Sequence, residues 1–344
     1  MKMELVELIC CPQCRSALTL QDGQGQTEIQ SGTLRCDRCK SSYRIKGEMP
    51  FLYVDDERWA VKDREAEGWI AMSREDGAYD SILDIDYSFV LPYYPSGTWL
   101  TVAPFFDAAI GEMALTGSET ILDLGAGQGW ASKYFAIRGC RTVAIDMFPD
   151  DRIGLGRGKA IMDQAGVYFE RVIGDSEDLP FKDETFDIVF CNSSLHHAVD
   201  MGKAVKQVAR VLKDGGRFLA IEPIIPLGQK ETDAQEHIRE VSYGIVESRR
   251  NLLQFYWYLW RAGLRRLSTN NLSTLNVDDT TLYRWIEGRL REIDSQGERP
   301  TNAVQRIAHN LILRMPRGYA SFTTFLFAGG DVMLQARKAG VHKS

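Results

Sequence analysis

The sequence predicts an α/β protein: a doubly wound, Rossmann-like sheet of seven strands with helical lid insertions, behind a small cysteine-bearing module. Three observations predict it. From Thr120 onward short apolar runs alternate with helix-length segments, the pattern of a parallel sheet covered on both faces. Ile121–Trp130, ILDLGAGQGW, reads as a buried strand running through a glycine loop into a helix. Two CxxC pairs, Cys11 with Cys14 and Cys36 with Cys39, stand ahead of it.

Composition bounds the answer. A chain of 344 residues, 44% apolar and 26% charged, suits one large α/β domain plus a small module with a sizeable core. No apolar run approaches the roughly 18–20 residues of a membrane span. The start, MKMELVELIC, lacks the basic and long apolar stretches of a secretory signal; a cytoplasmic chain is expected. Charge is uneven: residues 237–344 hold 16 Lys and Arg against 9 Asp and Glu, although the whole chain carries −6. That basic third suits an acidic substrate, RNA or a lipid surface, or is an arginine-rich solvated face. The acidic bulk disfavours a general nucleic-acid binder.

Taken in order, residues 1–55 come first. Two CxxC knuckles about twenty residues apart close a tetrahedral thiolate cage around zinc. Four thiolates leave no open position for water, so Cys11, Cys14, Cys36 and Cys39 are expected to hold a structural ion. Disulfides are disfavoured in a cytoplasmic chain. Cys10 is out of register with the pairs and reads as a packing residue. So small a module depends on its metal to stay folded. Through ELICCPQC, LRCDRC and YRIKGEMPFLY, roughly residues 4–55 resemble the zinc-ribbon domain related to the small activator subunit of tRNA methyltransferases. In that family the domain stands alone as a partner-binding subunit or is fused ahead of a methyltransferase. The domain is not catalytic there, so the resemblance implies the metal ligands alone; a protein partner docking through the ribbon belongs to the scaffold alternative.

Residues 56–100 read as a linker and covering helices. Residues 56–80 are charged and helical, with Trp59 and Trp69 among them. The aromatic stretch that follows places Tyr87, Tyr93, Tyr94 and Trp99 either at a pocket lip or as a seal between layers. Residues 101–116 read as a helix in front of the first strand of the 101–344 domain. Next come ILDL, a helix over Trp130–Arg138 stopped by Gly139, TVAID ending at Asp146, and a helix over residues 156–165. VYFERVIGD ends at Asp175, FDIVFCN at Asn192, a helix spans Val199–Leu212, and GRFLAIEP forms strand five. SRRNLLQFYWYLWRAG is helical, LRRLSTNNL reads as strand six, and FTTFLFAGGDVMLQARK as the closing antiparallel strand. Residues 226–247 and about 275–322 are then insertions at the sheet's edge.

Ligands of such sheets bind at the carboxyl ends of the strands, where strand order reverses. There stand Asp123 with Gly125, Ala126, Gly127, Gly129 and Trp130, then Asp146 with Met147, then Asp175 with Ser176, then Asn192. An acid about twenty residues past the loop, here Asp146, accepts from ribose hydroxyls. Asp175 and Ser176 are placed for an adenine amine. Several acids without a phosphate-binding lysine suit a cationic, phosphate-free adenosine compound better than a dinucleotide. GxxxxGK[ST] is absent, which disfavours a P-loop.

ILDLGAGQGW, AIDMF, GDSEDLPFKDETFDIVFCNSSLHHAVD and LKDGGRFLAIEP, in this order and spacing, resemble class I S-adenosylmethionine-dependent methyltransferases of the ubiquinone/menaquinone-biosynthesis type over about residues 117–224. The resemblance implies that the three glycines wrap the methionine part of S-adenosylmethionine. It implies that Asp146 binds ribose, Asp175 and Ser176 bind adenine, and Asn192 sits beside the sulfonium. CNSSLHHAV replaces the Asn/Asp-Pro-Pro-aromatic motif of amino-methylating enzymes, which favours oxygen or carbon acceptors. His196 or His197 takes a proton from an acceptor hydroxyl, or the pair only shapes the pocket. Glu222, His237, Tyr243 and Arg249 are further candidates for the acceptor pocket. The expected function is methylation of a small-molecule or saccharide acceptor. Its rivals are an RNA base methyltransferase and a non-catalytic scaffold that binds S-adenosylmethionine.

Overall fold

The computed structural model describes residues 1–25, 27–81, 87–95, 97–228, 235–271, 275 and 330–340. Residues 1–55 form α1 (Glu4–Leu8), β1 (Leu18–Gln24), β2 (Ser31–Cys36), β3 (Ser42–Lys46) and β4 (Met49–Leu52), the four strands pairing antiparallel in sequence. Then come α2 (Glu57–Glu75), α3 (Ala78–Ser81), α4 (Tyr87–Val90) and α5 (Trp99–Met113). The alternating part runs β5 (Thr120–Leu124), α6 (Trp130–Ile137), β6 (Arg141–Asp146), α7 (Gly158–Ala165), β7 (Glu170–Gly174), β8 (Phe186–Asn192), α8 (Met201–Val211) and β9 (Leu212–Ile224). It closes with α9 (Gln235–Ser242), α10 (Leu252–Arg261), β10 (Leu264–Asn270) and β11 (Gly330–Lys338).

The seven strands of the alternating part lie in the order β7-β6-β5-β8-β9-β11-β10. The first five are parallel, and β11 inserts antiparallel between β9 and β10. This is the doubly wound sheet expected. Its parallel strands are apolar on both faces: Ile121, Leu122 and Leu124 on β5, and Ile188, Val189 and Phe190 on β8, are buried. The chain leaves β5 toward β6 on one side and reaches β8 on the other, which opens a crevice at their carboxyl ends. Of the two expected insertions, residues 226–247 include α9, and about 275–322 lies outside the described residues apart from Leu275.

The N-terminal module shares the core of the large domain. Its last strand, β4, pairs parallel with β7 through Phe51 with Ile173 and Leu52 with Gly174, so all eleven strands form one sheet. Leu5, Ile9, Leu18 and Leu34 bury against the same cluster as Val172, Leu179 and Phe181. A module of this size encloses little apolar volume alone, and the edge of β7 supplies the missing wall. The Cys10 N–H donates to the Pro180 carbonyl at 2.9 Å, which accounts for Cys10 as a buried packing residue.

Helix α2 crosses from the module to the crevice. Asp56 caps it, accepting from the N–H groups of Arg58 at 3.0 Å and Trp59 at 3.3 Å. Trp59 stacks on Tyr53 just past β4, ring centroids 3.6 Å apart. Gly68 lets the helix touch the turn after α9: a Cβ there would stand 2.3 Å from the Tyr243 carbonyl oxygen. Helix propensity alone favours Ala over Gly by about 1 kcal/mol. The clash is with backbone and outweighs it, so Gly68→Ala is expected to cost roughly 1–2 kcal/mol net. Thermal unfolding measures this, and a raised Tm would refute the contact.

Candidate functional site

A cavity of about 1190 Å³ opens at the carboxyl ends of β5 to β8, walled by α2, residues 92–104 and residues 240–249. Single-ligand pockets span about 300–1,000 Å³, so this one has room for two molecules. Its floor is the loop after β5. Gly125 has φ +66° and lies so close to Ser194 that a Cβ would stand 1.8 Å from the hydroxyl. Gly127, at φ +54°, has nothing within 4 Å of its Cβ position, and its backbone faces open space. The Gly125 and Ala126 N–H groups both donate to the Ile145 carbonyl, at 2.9 and 3.1 Å.

Of the candidate ligand residues, Gly125, Gly127, Asp146, Met147, Asp175, Ser176 and Asn192 line the cavity. Asp146 accepts from the Gly127 N–H at 2.7 Å and the Phe148 N–H at 3.0 Å, which fixes its carboxylate at the end of β6. Burial pushes its pKa up to about 6 against the pull of those N–H groups. Asp175 accepts from the Glu177 N–H at 2.9 Å. Asn192 lines the cavity with a buried Oδ1 that has no hydrogen-bond partner among the described residues.

Asp123, Ala126, Gly129 and Trp130 do not line it. Trp130 packs edge-on to Phe106, centroids 4.9 Å apart, and to Trp99 at 5.7 Å, within the core. Asp123 is buried behind the loop and accepts from the Ser132 hydroxyl at 2.6 Å. Tyr93, Tyr94 and Trp99 line the cavity, while Tyr87 packs edge-on against Tyr94 and accepts from Trp99 Nε1. Tyr243 points away, to Glu75. Arg249 lines the wall; the side chain of His237 lies outside the described residues.

At the other end stand His196 and His197. His196 Nδ1 is 2.7 Å from Glu222, whose second oxygen accepts from the Ser194 and Leu195 N–H groups, both at 2.9 Å. These partners outweigh burial and hold the Glu222 pKa below its ordinary value. Glu222 is thus an anchor behind the cavity. His197 donates from Nδ1 to the Val246 carbonyl at 2.6 Å and lies 3.3 Å from Glu65. Burial lowers its pKa, but Glu65 and Glu247 outweigh burial and raise it to about 9. His197 is therefore protonated at neutral pH, a poor base there. Sequence reasoning missed Lys62, Glu65, Trp69 and Met72, which all line the cavity from α2. Their spacing of three, four and three residues marks a single helical face. Lys62 Nζ reaches Asp175 at 3.4 Å and Glu177 at 3.3 Å. Burial lowers the Lys62 pKa, and these carboxylates raise it further than that.

In the N-terminal module, the sulfurs of Cys11, Cys14, Cys36 and Cys39 all lie within 4.8 Å of one another. Cys11 to Cys39 is 3.5 Å and Cys14 to Cys36 is 3.4 Å. Tetrahedral zinc with Zn–S near 2.3 Å sets sulfurs about 3.8 Å apart, so the donor set fits. Burial pushes Cys11 up to about 12, whereas hydrogen bonds from Ser16 lower Cys14 to about 6.

Residues 122–220 match the methyltransferase domain family, and residues 2–48 match the Trm112p-like protein family. These stretches of the chain are thus similar to a methyltransferase domain and, ahead of it, to Trm112p-like proteins. Among curated relatives, the demethylmenaquinone methyltransferase of Clavibacter sepedonicus is 33% identical over 150 residues, 43% of this chain and 59% of that protein. The 27-O-demethylrifamycin SV methyltransferase of Amycolatopsis mediterranei is 32% identical over 173 residues, 48% of this chain and 61% of that protein. The chain thus spans about three-fifths of these relatives. The phosphoethanolamine N-methyltransferase 2 of Haemonchus contortus, solved with S-adenosyl-L-methionine, superposes with a TM-score of 0.52 at 17% identity, over 80% of this chain and 60% of that one. It shares the fold.

Burial pushes the Asp123 carboxyl up to about 7, against the Ser132 hydrogen bonds. Between the ordinary carboxyl range and that value, the folded state keeps a proton the unfolded chain has released. Stability therefore falls as pH rises through this window. Asp123→Asn removes that slope. Its stability relative to the unsubstituted chain is expected to rise by roughly 1–3 kcal/mol from pH 5 to pH 8, measured by urea unfolding. A difference independent of pH would refute the assignment.

Proposed function

We propose that the chain is an S-adenosylmethionine-dependent methyltransferase that methylates oxygen or carbon of a small-molecule acceptor. One observation carries the reading: a cavity with room for two ligands, lined by Gly127, Asp146, Asp175 and the unpartnered Asn192 at one end. S-adenosylmethionine supplies a methyl group already activated on a sulfonium. The chain's task is then alignment and exclusion of water, and alignment alone contributes on the order of 7–11 kcal/mol.

The residues divide that work. Gly125 and Gly127 let backbone approach the methionine part. Asp146, oriented by two N–H groups, receives the ribose hydroxyls. Asp175 and Ser176 receive the adenine, with Lys62 balancing the charge of Asp175. Asn192 offers its free Oδ1 beside the sulfonium. His196 is held by Glu222 in the tautomer that leaves Nε2 as a lone pair toward the acceptor. Both curated relatives named above carry small-molecule acceptors in their names, which favours this reading over an RNA base. The four cysteines hold zinc in this reading, as a structural ion that leaves no site for catalysis.

Asp146→Ala removes a charged acceptor worth about 1.5–3 kcal/mol. It is expected to weaken S-adenosylmethionine binding roughly ten- to a hundredfold by calorimetry, and unchanged affinity would remove Asp146 from the site. Cys11→Ser is expected to lose zinc by elemental analysis and to lower the Tm. Full zinc occupancy in that variant would exclude Cys11 as a ligand.

A further inference from the structure

We infer that the acceptor end of the cavity binds a divalent first-row metal ion through His196, His197 and Glu247. The inference rests on the reading of this cavity as the acceptor site. One nitrogen of each imidazole and one Glu247 oxygen lie within 4.8 Å of one another. His196 Nε2 stands 3.6 Å from Glu247 Oε1. All three side chains are largely covered, at 5%, 17% and 1% exposure.

Both rings are oriented from behind. Val246 offers a carbonyl, which only accepts, so His197 Nδ1 carries hydrogen. Glu222 does the same for His196, and its own position is pinned by the two N–H groups it accepts from. Binding the ion displaces the proton that His197 carries at neutral pH, and each ring is then left with Nε2 as its lone pair. An imidazole that donates its other N–H to a carboxylate or carbonyl is the usual support of a metal-bound histidine.

Charge points the same way. Glu65, Glu222 and Glu247 bring three buried carboxylates to this end of the cavity, and Arg249 lies 3.0 Å from Glu247. Glu65 is fully buried, lines the cavity, and faces His197 Nδ1 at 3.3 Å. Burying such a carboxylate is costly unless its charge is balanced; the charge on His197 balances it, and a dication bound nearby takes over that role when His197 gives up its proton to ligate. Two imidazoles and one carboxylate select manganese, iron, cobalt or zinc over magnesium or calcium. Three protein ligands also leave open positions, where acceptor oxygens bind the ion. The cysteine site of the N-terminal module, by contrast, is closed.

Manganese tests this, because thiolates bind it weakly and the N-terminal module keeps its zinc. The full chain, zinc-loaded, is titrated with MnCl2 and free manganese is followed by electron paramagnetic resonance. One bound manganese per chain is expected. Glu247→Gln and His197→Asn are each expected to weaken it at least about tenfold while leaving the S-adenosylmethionine affinity unchanged by calorimetry. That affinity also certifies that each variant is folded; should one fail, His196→Gln replaces it. No manganese uptake, or uptake by the variants equal to the unsubstituted chain, overturns the inference and leaves a His197–Glu65 ion pair in its place. Manganese uptake without S-adenosylmethionine binding by the unsubstituted chain would instead sink the proposed function.

Discussion

One of the tightest constraints in the molecule is the approach of Gly125 to Ser194. No side chain fits between the loop after β5 and the turn after β8, since a Cβ at residue 125 would stand 1.8 Å from the Ser194 hydroxyl. The contact joins the two strands on either side of the point where the winding reverses. It keeps the floor of the crevice narrow where the loop begins, while two residues later Gly127 opens onto empty space. On the far side Ser193 turns with φ +48° and donates to the Ile221 carbonyl at 2.7 Å, which delivers Ser194 and the two histidines into the cavity. The Asp146 end and the histidine end of the cavity therefore share one piece of backbone geometry.

Over this floor α2 forms the roof, and it does so with charge. Lys62 is buried against Asp175 and Glu177, while Glu65 and Trp69 lie against His197 one and two turns on. Breaking a buried pair by removing one partner costs about 3–5 kcal/mol, because the other charge is left in low dielectric. The roof is thus held by interactions that depend on the carboxylates at the ends of the strands. Its N-terminal end is held by stacking on Tyr53, beyond β4, and by Arg58 reaching Asp178 at 2.6 Å. One helix consequently touches the N-terminal module, the Asp175 loop and the histidines. The order of strands, with β4 on the edge of β7, is what lets it span that distance.

Much of the alternating sheet was legible because local pattern and tertiary role agree there. β5 and β8 are apolar on both faces, Gly139 stops α6, and the glycine loop needs positive φ at the positions where glycine stands. The cysteine knuckles were legible from spacing alone, since thiolate geometry limits what four such residues can do. The roof was not legible. Residues 57–75 carry charges on all sides, and a lysine or glutamate that will be buried looks the same in sequence as one left in water. The signal that could have found it is narrow: Lys62, Glu65, Trp69 and Met72 share a face, and only a partner outside the helix says that the face is covered. Asp123 failed for the opposite reason. It sits at a strand end like Asp146, yet Ser132 nine residues on takes its carboxylate, a contact that only the folded loop reveals.

The two ends of the cavity treat buried acid in different ways, and that difference orders the chemistry. Asp146 and Asp175 are satisfied by N–H groups and, for Asp175, by Lys62. Glu65 and Glu247 face imidazoles, whose charge is variable. A site built from groups of variable charge waits for a cation from outside, be it a proton or a metal ion. A proton on His197 already gives partial compensation, which is why its pKa rises to about 9 despite burial. The same pocket that is balanced by protons when empty is therefore prepared to exchange them for an occupant that carries positive charge. In the proposed reaction, selectivity for the acceptor then follows from what that occupant can hold, and the glycine loop answers only for the donor.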